Sequence, residues 1–238
     1  MNKFIQAIKD LDVSRVKEFL RKDRSWINWR EEDGKNALHY LCGIDISKDP
    51  LKAEPGFQIL TMLLKAGMDI DAVHGIVDNR CIFPATPLWY AYTRGRNKKL
   101  FAHLLKKGAK PDNCMFAIAW YDDIESAKLF KKYGAEIDDG LNGNTPFLSA
   151  FNWKRFNIAQ WFLEQGANVN FGDLSGNTAL YYAVKRKYQV EQIQLLLNYG
   201  ANYNQKNKAG ISPKEFAEVN RQRKILSLFN NDTAGKKQ

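Results

Sequence analysis

Short apolar runs recur along the chain, each about the length of a small helix and each preceded by a polar residue. Asparagine, threonine and serine side chains accept hydrogen bonds from the free amides of a first helical turn. Proline is tolerated directly after such a cap, where an amide would have no intrahelical partner. The pattern predicts a helix start in NALHYL, TPLWYA, TPFLSA, TALYYA and SPKEFA, which begin at Asn36, Thr86, Thr145, Thr178 and Ser212.

A second phrase joins an apolar pair to a glycine and closes on a polar residue. A glycine at this place supplies the left-handed conformation that commonly ends a helix. About 20 residues separate the two kinds of phrase, which is enough for two short helices and a tight turn. The phrases are LLKAGMDID, LLKKGAKPD, LFKKYGAEID, FLEQGANVN and LLNYGANYN, with their glycines at Gly67, Gly108, Gly134, Gly166 and Gly200.

The two phrases repeat in phase. The last three glycines are spaced 32 and 34 residues apart, and the last three caps 33 and 34. A helix pair with a β-turn at this period resembles the ankyrin-repeat family, whose phrases are T-P-L-H-x-A and L-L-x-x-G-A-x-x-N. The resemblance covers roughly residues 1–230 and implies an all-α repeat solenoid of stacked helix-turn-helix ankyrin repeats with short β-hairpin fingers.

We expect one ankyrin-repeat domain over residues 1–230. An amino-terminal capping repeat covers about 1–32, five full repeats cover about 33–207, and a carboxy-terminal capping repeat covers about 208–230. End repeats shield only one neighbour and are therefore more polar than inner ones. Residues 231–238 are expected to form a disordered tail.

Three irregularities interrupt the repeat. Residues 43–56 carry an insertion that we interpret as a loop between the two helices of one repeat. The finger at 74–85 is lengthened, and the finger that ends at Cys114 is shortened. Ile82 and Phe83 either fold back onto the repeats or form a lip that faces a partner, and the sequence leaves both interpretations open.

Charge, cysteine content and hydropathy indicate the compartment and the kinds of partner to expect. The net charge of +10 is patchy: residues 74–112 hold eight basic against two acidic residues, whereas 113–142 hold three against six. Three scattered cysteines favour a reducing compartment, and no apolar run is long enough to span a bilayer. We expect a cytoplasmic protein, or one delivered into a host cytoplasm as an effector, that is monomeric and has no membrane partner.

Catalysis and metal binding receive little support from the three histidines. The resemblance assigns His39 a structural role, and His103 lies on a helix surface. Cys42 follows His39 by three residues, which we interpret as a buried thiol beside a packed imidazole. A metal site of His74, Cys81 and Cys114 is the one conceivable set, and no ligand spacing supports it. We expect no enzyme activity, no cofactor and no metal.

Nucleic acid is the alternative partner. RGRNKK at 94–99 and KRK at 185–187 place basic residues near aromatic ones, as proteins that stack bases and contact phosphates do. A continuous basic stripe would be more typical of such proteins. Charged turns of this kind also serve solubility alone.

The favoured function is non-enzymatic binding of another protein, acidic or of mixed charge, as an inhibitor, immunity factor or effector scaffold. The resemblance implies a binding surface on the concave face and the fingers. Spacing indicates that Trp120 and Tyr182 are buried, whereas Trp153 is exposed at the centre of the site. Tryptophan, tyrosine and arginine dominate interface hot spots. The candidate partner-binding residues are Trp89, Thr93, Arg94, Tyr121, Asp122, Asn152, Trp153, Tyr181, Lys185, Arg186, His74, Arg80 and Phe83.

Overall fold

The described residues of a computed structural model of the chain form fourteen α-helices, which follow one another in seven pairs. The structure describes residues 2–46, 49–78 and 81–235, except for the side chains of Pro50, Asp78, Cys81 and 231–235. The helices are α1 (Lys3–Lys9), α2 (Val13–Lys22), α3 (Ala37–Cys42), α4 (Ala53–Ala66), α5 (Pro87–Thr93), α6 (Lys98–Lys106), α7 (Cys114–Tyr121), α8 (Ile124–Lys132), α9 (Pro146–Asn152), α10 (Phe156–Glu164), α11 (Ala179–Lys185), α12 (Val190–Asn198), α13 (Pro213–Val219) and α14 (Arg223–Gly235).

The predicted helix starts are confirmed. Each of the five polar residues caps its helix, as when the Thr145 hydroxyl accepts a hydrogen bond from the Leu148 amide at 3.2 Å. The backbone amides of Asn36 and Ser212 in turn donate to the side chains of His39 and Glu215, the third residues of their helices, which completes two capping boxes. These five helices therefore begin where the sequence predicts them.

The helix stops are confirmed too, because the five predicted glycines all have φ between 84° and 98°. A second left-handed residue was not foreseen. It lies in the turn between paired helices and is not a glycine, although such a residue carries a steric cost there. The residues at this place are Leu11, Arg96, Asp122, Lys154, Lys187 and Arg221.

The lengthened finger forms an antiparallel hairpin, in which β1 (His74–Asp78) pairs with β2 (Cys81–Ala85). Ile76 lies opposite Phe83, and Val77 lies opposite Ile82. Since side chains alternate between the faces of a strand, the two pairs point to opposite faces of the hairpin. The helix pairs together with this hairpin confirm the predicted fold class.

The insertion at 43–56 is shorter as a loop than predicted. A 3₁₀ turn covers Pro50–Lys52, and helix α4 begins at Ala53, so that the loop prediction is wrong over residues 53–56. Pro55 lies in the first helical turn, where the missing amide breaks no helical hydrogen bond. Ser47 and Lys48 lie outside the described residues.

The residues group into two compact units, which are Met1–Cys114 with Leu129–Ala135, and Met115–Lys128 with Glu136–Gln238. We call them the amino-terminal and the carboxy-terminal unit. Each has a core of fully buried side chains from its successive helices. Examples are Leu38, Leu60, Leu88, Leu104 and Phe130 in the first, and Phe151, Phe162, Leu180, Val184 and Leu196 in the second.

The polar residue that closes the second phrase ties successive fingers together. In the amino-terminal unit, the Asp71 carboxylate accepts a hydrogen bond from the Lys110 amide at 2.8 Å. In the carboxy-terminal unit, Asp138 accepts from the Asn168 amide at 2.9 Å, and the Asn170 side chain accepts from the Asn202 amide at 2.7 Å. The acceptors satisfy backbone groups that no strand pairing serves.

Helix α14 continues to Gly235, into the segment predicted as a disordered tail, and residues 236–238 lie outside the described part. The single-domain boundaries remain a prediction. No helix in the described part of the chain combines the length and the apolar character that crossing a bilayer requires.

Candidate functional site

Two exposed tryptophans meet in the carboxy-terminal unit. Trp120, near the end of α7, and Trp153, which follows α9, have ring centroids 5.1 Å apart at 83°, an edge-to-face pair. Their exposed fractions are 49% and 39%. The prediction that Trp153 is exposed is confirmed, and the prediction that Trp120 is buried is wrong. Helical spacing alone does not show that Trp120 lies at a helix end, where it packs against a ring that is itself exposed.

Arg155 and Asp122 make contacts next to this pair of rings. The Arg155 guanidinium lies 5.8 Å from the centre of the Trp120 ring, and its Nε donates to the Trp120 carbonyl at 3.0 Å. The Asp122 carboxylate accepts hydrogen bonds from the Ile158 amide at 2.9 Å and from the Asn157 side chain at 3.0 Å. Asp122 therefore caps α10 from the preceding repeat, and its place in the contact surface stays a prediction.

The end of α11 adds two cations over tyrosine rings. The Arg186 guanidinium lies 4.6 Å from the Tyr182 ring centre, and the Lys185 ammonium lies 5.9 Å from the Tyr181 ring centre. Arg186 also donates to the Asn152 side chain at 3.3 Å. Tyr181 is only 6% exposed, because Phe216 packs against it. The assignment of Tyr181 as a contact residue is corrected accordingly.

Tyr182 is half-buried, less than the sequence predicts, because its hydroxyl must reach the Asp173 carboxylate. Burial, followed by the hydrogen bond to Asp173, raises the pKa of Tyr182. The phenol therefore stays protonated and acts as a donor inside the repeat.

These residues form one surface at the ends of α7, α9 and α11, which we call the tryptophan–arginine surface. Tyr121 belongs to it, with 47% of its area exposed. Among the described residues, none of its cations takes part in an ion pair. Its aromatic and basic groups are therefore open to a partner. Its members are Trp120, Tyr121, Trp153, Arg155, Lys185 and Arg186.

The predicted contact residues of the amino-terminal unit are more deeply packed. Trp89 is half-buried between Phe83 and Tyr90, with ring centroids 5.1 and 5.4 Å away. The Thr93 hydroxyl donates to the Trp89 carbonyl at 2.7 Å, whereas Arg94 is exposed. Trp89 is thus partly covered by its neighbours, whereas Arg94 is open to solvent.

The hairpin resolves the two interpretations of its apolar residues. Phe83 folds back onto Trp89, whereas Ile82 is 69% exposed and lies beside Val77, which is 78% exposed. One residue therefore supports each interpretation, as the alternation of side chains in a hairpin requires. Arg80 lies outside the described residues.

His74 is 8% exposed and serves the interior, which corrects its assignment as a contact residue. Its Nε2 lies 3.0 Å from the Asp33 carboxylate, and its Nδ1 lies 2.7 Å from the Tyr90 hydroxyl. Both ring nitrogens are occupied, and the buried Cys114 is part of α7. Within the described residues, no three His, Cys, Asp or Glu side chains form a cluster that could hold a metal ion.

His39 and Cys42 do not form a nucleophilic pair. Both are fully buried. Burial lowers the pKa of His39 to about 4, although its Nε2 donates to the Ala85 carbonyl at 3.2 Å. Burial raises the pKa of the Cys42 thiol, which keeps it protonated and unreactive. His103 packs edge-on against Phe57 at 4.6 Å, at the surface of α6.

Comparison with known proteins defines the class. The crystal structure of the human ASB11 ankyrin repeat domain superposes with a TM-score of 0.64 and 22% sequence identity, covering 91% of each chain. Residues 114–207 match the family model of ankyrin repeats, in three copies. The molecule is a repeat protein built from stacked helix pairs. Its fold is that of ankyrin-repeat proteins.

The curated relatives are longer proteins. The phosphocholine transferase AnkX of Legionella pneumophila is 31% identical over 140 residues, which are 54% of this chain and 14% of AnkX. Human Rabankyrin-5 is 28% identical over 126 residues, which are 52% of this chain and 11% of that protein. A putative ankyrin repeat protein of Acanthamoeba polyphaga mimivirus, L92, is 53% identical over 51 residues, 21% of this chain and 12% of L92. The chain thus spans about an eighth of the length of these relatives.

Proposed function

We propose that the chain is a non-enzymatic protein that captures another protein, of acidic or mixed charge, through the tryptophan–arginine surface. Ankyrin repeats generally mediate protein–protein interaction, which gives the coarse function. The observation that supports this particular surface is the exposed Trp120–Trp153 pair. Large aromatic side chains left in solvent lose apolar hydration only when a partner covers them.

Charge supports an acidic or mixed-charge partner. Arg155 lies over Trp120, and Arg186 at the end of α11 donates to Asn152, which precedes Trp153. Neither of these residues nor Lys185 forms an ion pair within the described residues. A carboxylate of a partner would gain from cations that no internal group neutralises. The predicted concave face and fingers would frame this surface.

Geometry disfavours nucleic acid, the alternative partner. Base stacking needs an open ring face. The Tyr182 face is covered by the Arg186 guanidinium at 4.6 Å, and the Tyr181 ring is buried. Trp120 and Trp153 use an edge and a face on each other. The basic turns remain able to contact phosphates, and the salt dependence of binding separates the two partner classes.

The absence of activity is part of the proposal. The buried imidazole of His39 and the protonated thiol of Cys42 support it, because neither group is placed to react. AnkX is named as a transferase, and the shared segment is 14% of that protein. Turnover of a substrate by the purified chain would contradict the proposal.

The test replaces both tryptophans, in Trp120→Ala with Trp153→Ala. A photo-crosslinking residue at Tyr121 first captures the partner, mass spectrometry identifies it, and calorimetry measures the dissociation constant. Hot-spot aromatics contribute about 2 kcal/mol or more each, so we expect affinity to fall by about 100-fold or more. Val219→Ala is the matched control, since Val219 is an 83% exposed apolar residue of the same unit outside the surface. Equal affinities for both variants would overturn the assignment.

Two roles fit capture of a protein, and they differ in what happens to the partner. As an inhibitor or immunity factor, the chain would suppress the activity of an enzyme it binds. As a scaffold or effector, in its own cytoplasm or that of a host, it would bring further proteins to the complex. An activity assay of the purified partner, with and without this protein, distinguishes the two roles. We expect this protein to act as a monomer.

A further inference from the structure

A concavity lies in the amino-terminal unit, and none of the residues that line it belongs to the tryptophan–arginine surface. Its volume is about 400 Å³, within the range of ligand pockets. Helices α3 and α5 and strand β1 supply its walls. The side chains that matter are Lys35, Tyr40, His74, Ile76, Tyr90 and Arg94.

The acidic groups beside this concavity are already satisfied from within the protein. Asp33 accepts hydrogen bonds from the Lys35 amide at 3.1 Å and from His74 at 3.0 Å. The bond from the Lys35 amide is the main cause that lowers the pKa of Asp33. Glu31 accepts from the Tyr40 hydroxyl at 2.6 Å. Both carboxylates therefore have neutral donors or a histidine as partners.

The two cations beside the concavity, Lys35 and Arg94, have no carboxylate partner of this kind in the described part of the chain. The Lys35 ammonium lies 4.4 Å from the Tyr40 ring centre and 5.7 Å from the Tyr90 ring centre. Ring faces attract cations but neutralise no charge. Arg94 is exposed at the rim. Across the described residues, neither Lys35 nor Arg94 takes part in an ion pair.

The floor of the concavity is preorganised. The Tyr90 hydroxyl is held by His74 at 2.7 Å, and the His74 ring packs near the His39 ring at 5.8 Å. Ile76 adds an apolar wall beside these polar groups. A volume of this size holds more than one carboxylate, so a carboxylate on a short peptide fits better than a free anion.

We propose that this concavity binds the carboxylate of a glutamate or aspartate side chain in a peptide segment of a partner protein, with Lys35 and Arg94 as its cations. The proposal rests on the proposed capture of a protein but uses different residues in a different unit. Bidentate hydrogen bonding suits Arg94 for a planar carboxylate. Lys35 acts as a point charge held in place by the tyrosines.

The test uses defined peptides and not an unknown partner. Acetyl-Ala-Glu-Glu-Ala-amide, its Gln-Gln analogue and inorganic phosphate are titrated at constant ionic strength and pH 7.5. Nuclear magnetic resonance follows the ring signals of His74 and Tyr90. We expect saturable shifts with the Glu peptide and at least fivefold weaker binding of the Gln peptide. Equal binding of the two peptides, shifts that do not saturate, or tighter binding of phosphate would overturn the proposal.

Variants test the residues. Arg94→Gln and Lys35→Gln should each weaken binding of the Glu peptide about 5- to 20-fold, as expected for charged hydrogen bonds partly open to solvent. Arg96→Gln is the matched control, because Arg96 is an exposed residue of the same turn outside the concavity. Circular dichroism confirms that each variant is folded. An equal loss of affinity in Arg96→Gln would show that the peptide responds to the overall charge of the protein and not to this concavity, which would overturn the proposal.

The double variant Trp120→Ala with Trp153→Ala separates this proposal from the proposed function. It should bind the Glu peptide with unchanged affinity, because its substitutions lie in the other unit. Loss of partner capture with intact peptide binding supports both proposals. Weakened peptide binding in this variant would overturn the assignment to the concavity.

Discussion

The two units use their large ring side chains differently. In the amino-terminal unit, His39, His74 and Tyr90 form a buried polar cluster that joins helices α3 and α5 to the hairpin. In the carboxy-terminal unit, Trp120 and Trp153 lie exposed at helix ends. Similar residue types therefore stabilise the fold in one unit and supply an open surface in the other.

The contrast teaches that a repeat position does not determine burial. The third helical residue of the first phrase is His39 in one repeat, Trp89 in the next and Tyr181 in a later one. His39 closes a capping box, Trp89 packs against the hairpin, and Tyr181 is covered by Phe216. Neighbouring repeats decide the outcome in each case. Three experiments sharpen this contrast.

The largest expected effect on stability comes from a comparison of two aromatic residues at the end of α9, one buried and one exposed. Phe151→Ala should lower the free energy of unfolding by about 3–5 kcal/mol, because Phe151 is fully buried and its removal leaves a cavity. Trp153→Ala should cost less than about 1 kcal/mol. Urea denaturation followed by circular dichroism measures both. If Trp153→Ala were as costly as Phe151→Ala, the tryptophan pair would belong to the core.

The second experiment concerns pH and His39. Burial lowers the pKa of His39 from its ordinary value of 6.5 to about 4, so the unfolded chain binds a proton that the folded one does not. The stabilisation is complete above about pH 6.5 and is lost as the pH falls toward 4. Between pH 7.5 and 5, the free energy of unfolding should fall by about 2 kcal/mol.

Denaturation at both pH values tests this, with His39→Gln as the variant. That variant is less stable at pH 7.5 but should lose little further stability at pH 5. His103→Gln should remove a smaller part of the slope, since burial also lowers the pKa of the less buried His103. An unaltered slope in His39→Gln would show that another group titrates.

The smallest expected effect on the free energy of unfolding comes from removing a tyrosine hydroxyl, which we compare at Tyr90 and Tyr182. Tyr90→Phe should cost about 1–2 kcal/mol, because it leaves the buried His74 Nδ1 without its partner. Tyr182→Phe should cost less, since Asp173 keeps hydrogen bonds from the Ser175 and Asn177 amides. Denaturation midpoints of the two variants give the comparison, and a larger loss for Tyr182→Phe would reverse it.

Local signals made much of the fold predictable. Helix caps such as Thr86, Thr145 and Thr178 act through hydrogen bonds to residues three positions away, which the sequence displays directly. The left-handed glycines act equally locally. The loop boundary failed at Pro55, because a proline in a first helical turn looks like a loop residue.

The candidate site was less predictable, because exposure depends on contacts between repeats. Trp153 was identified by its polar neighbours. Trp120 was missed, although it lies two residues before the polar pair Asp122 and Asp123, and polar neighbours of this kind identified Trp153. The capping role of Asp122 was not predicted, since the hydrogen bond that its carboxylate accepts from the Ile158 amide joins residues 36 positions apart.

The sequence by itself determined where helices begin and end, the number of helix pairs and the hairpin, since these depend on interactions within a few residues. Only the tertiary structure decided which aromatic rings are open and which carboxylates are satisfied. Those properties depend on side chains that lie one repeat or more away along the chain. Burial and charge neutralisation are therefore properties of packed neighbours, and no local pattern contains them.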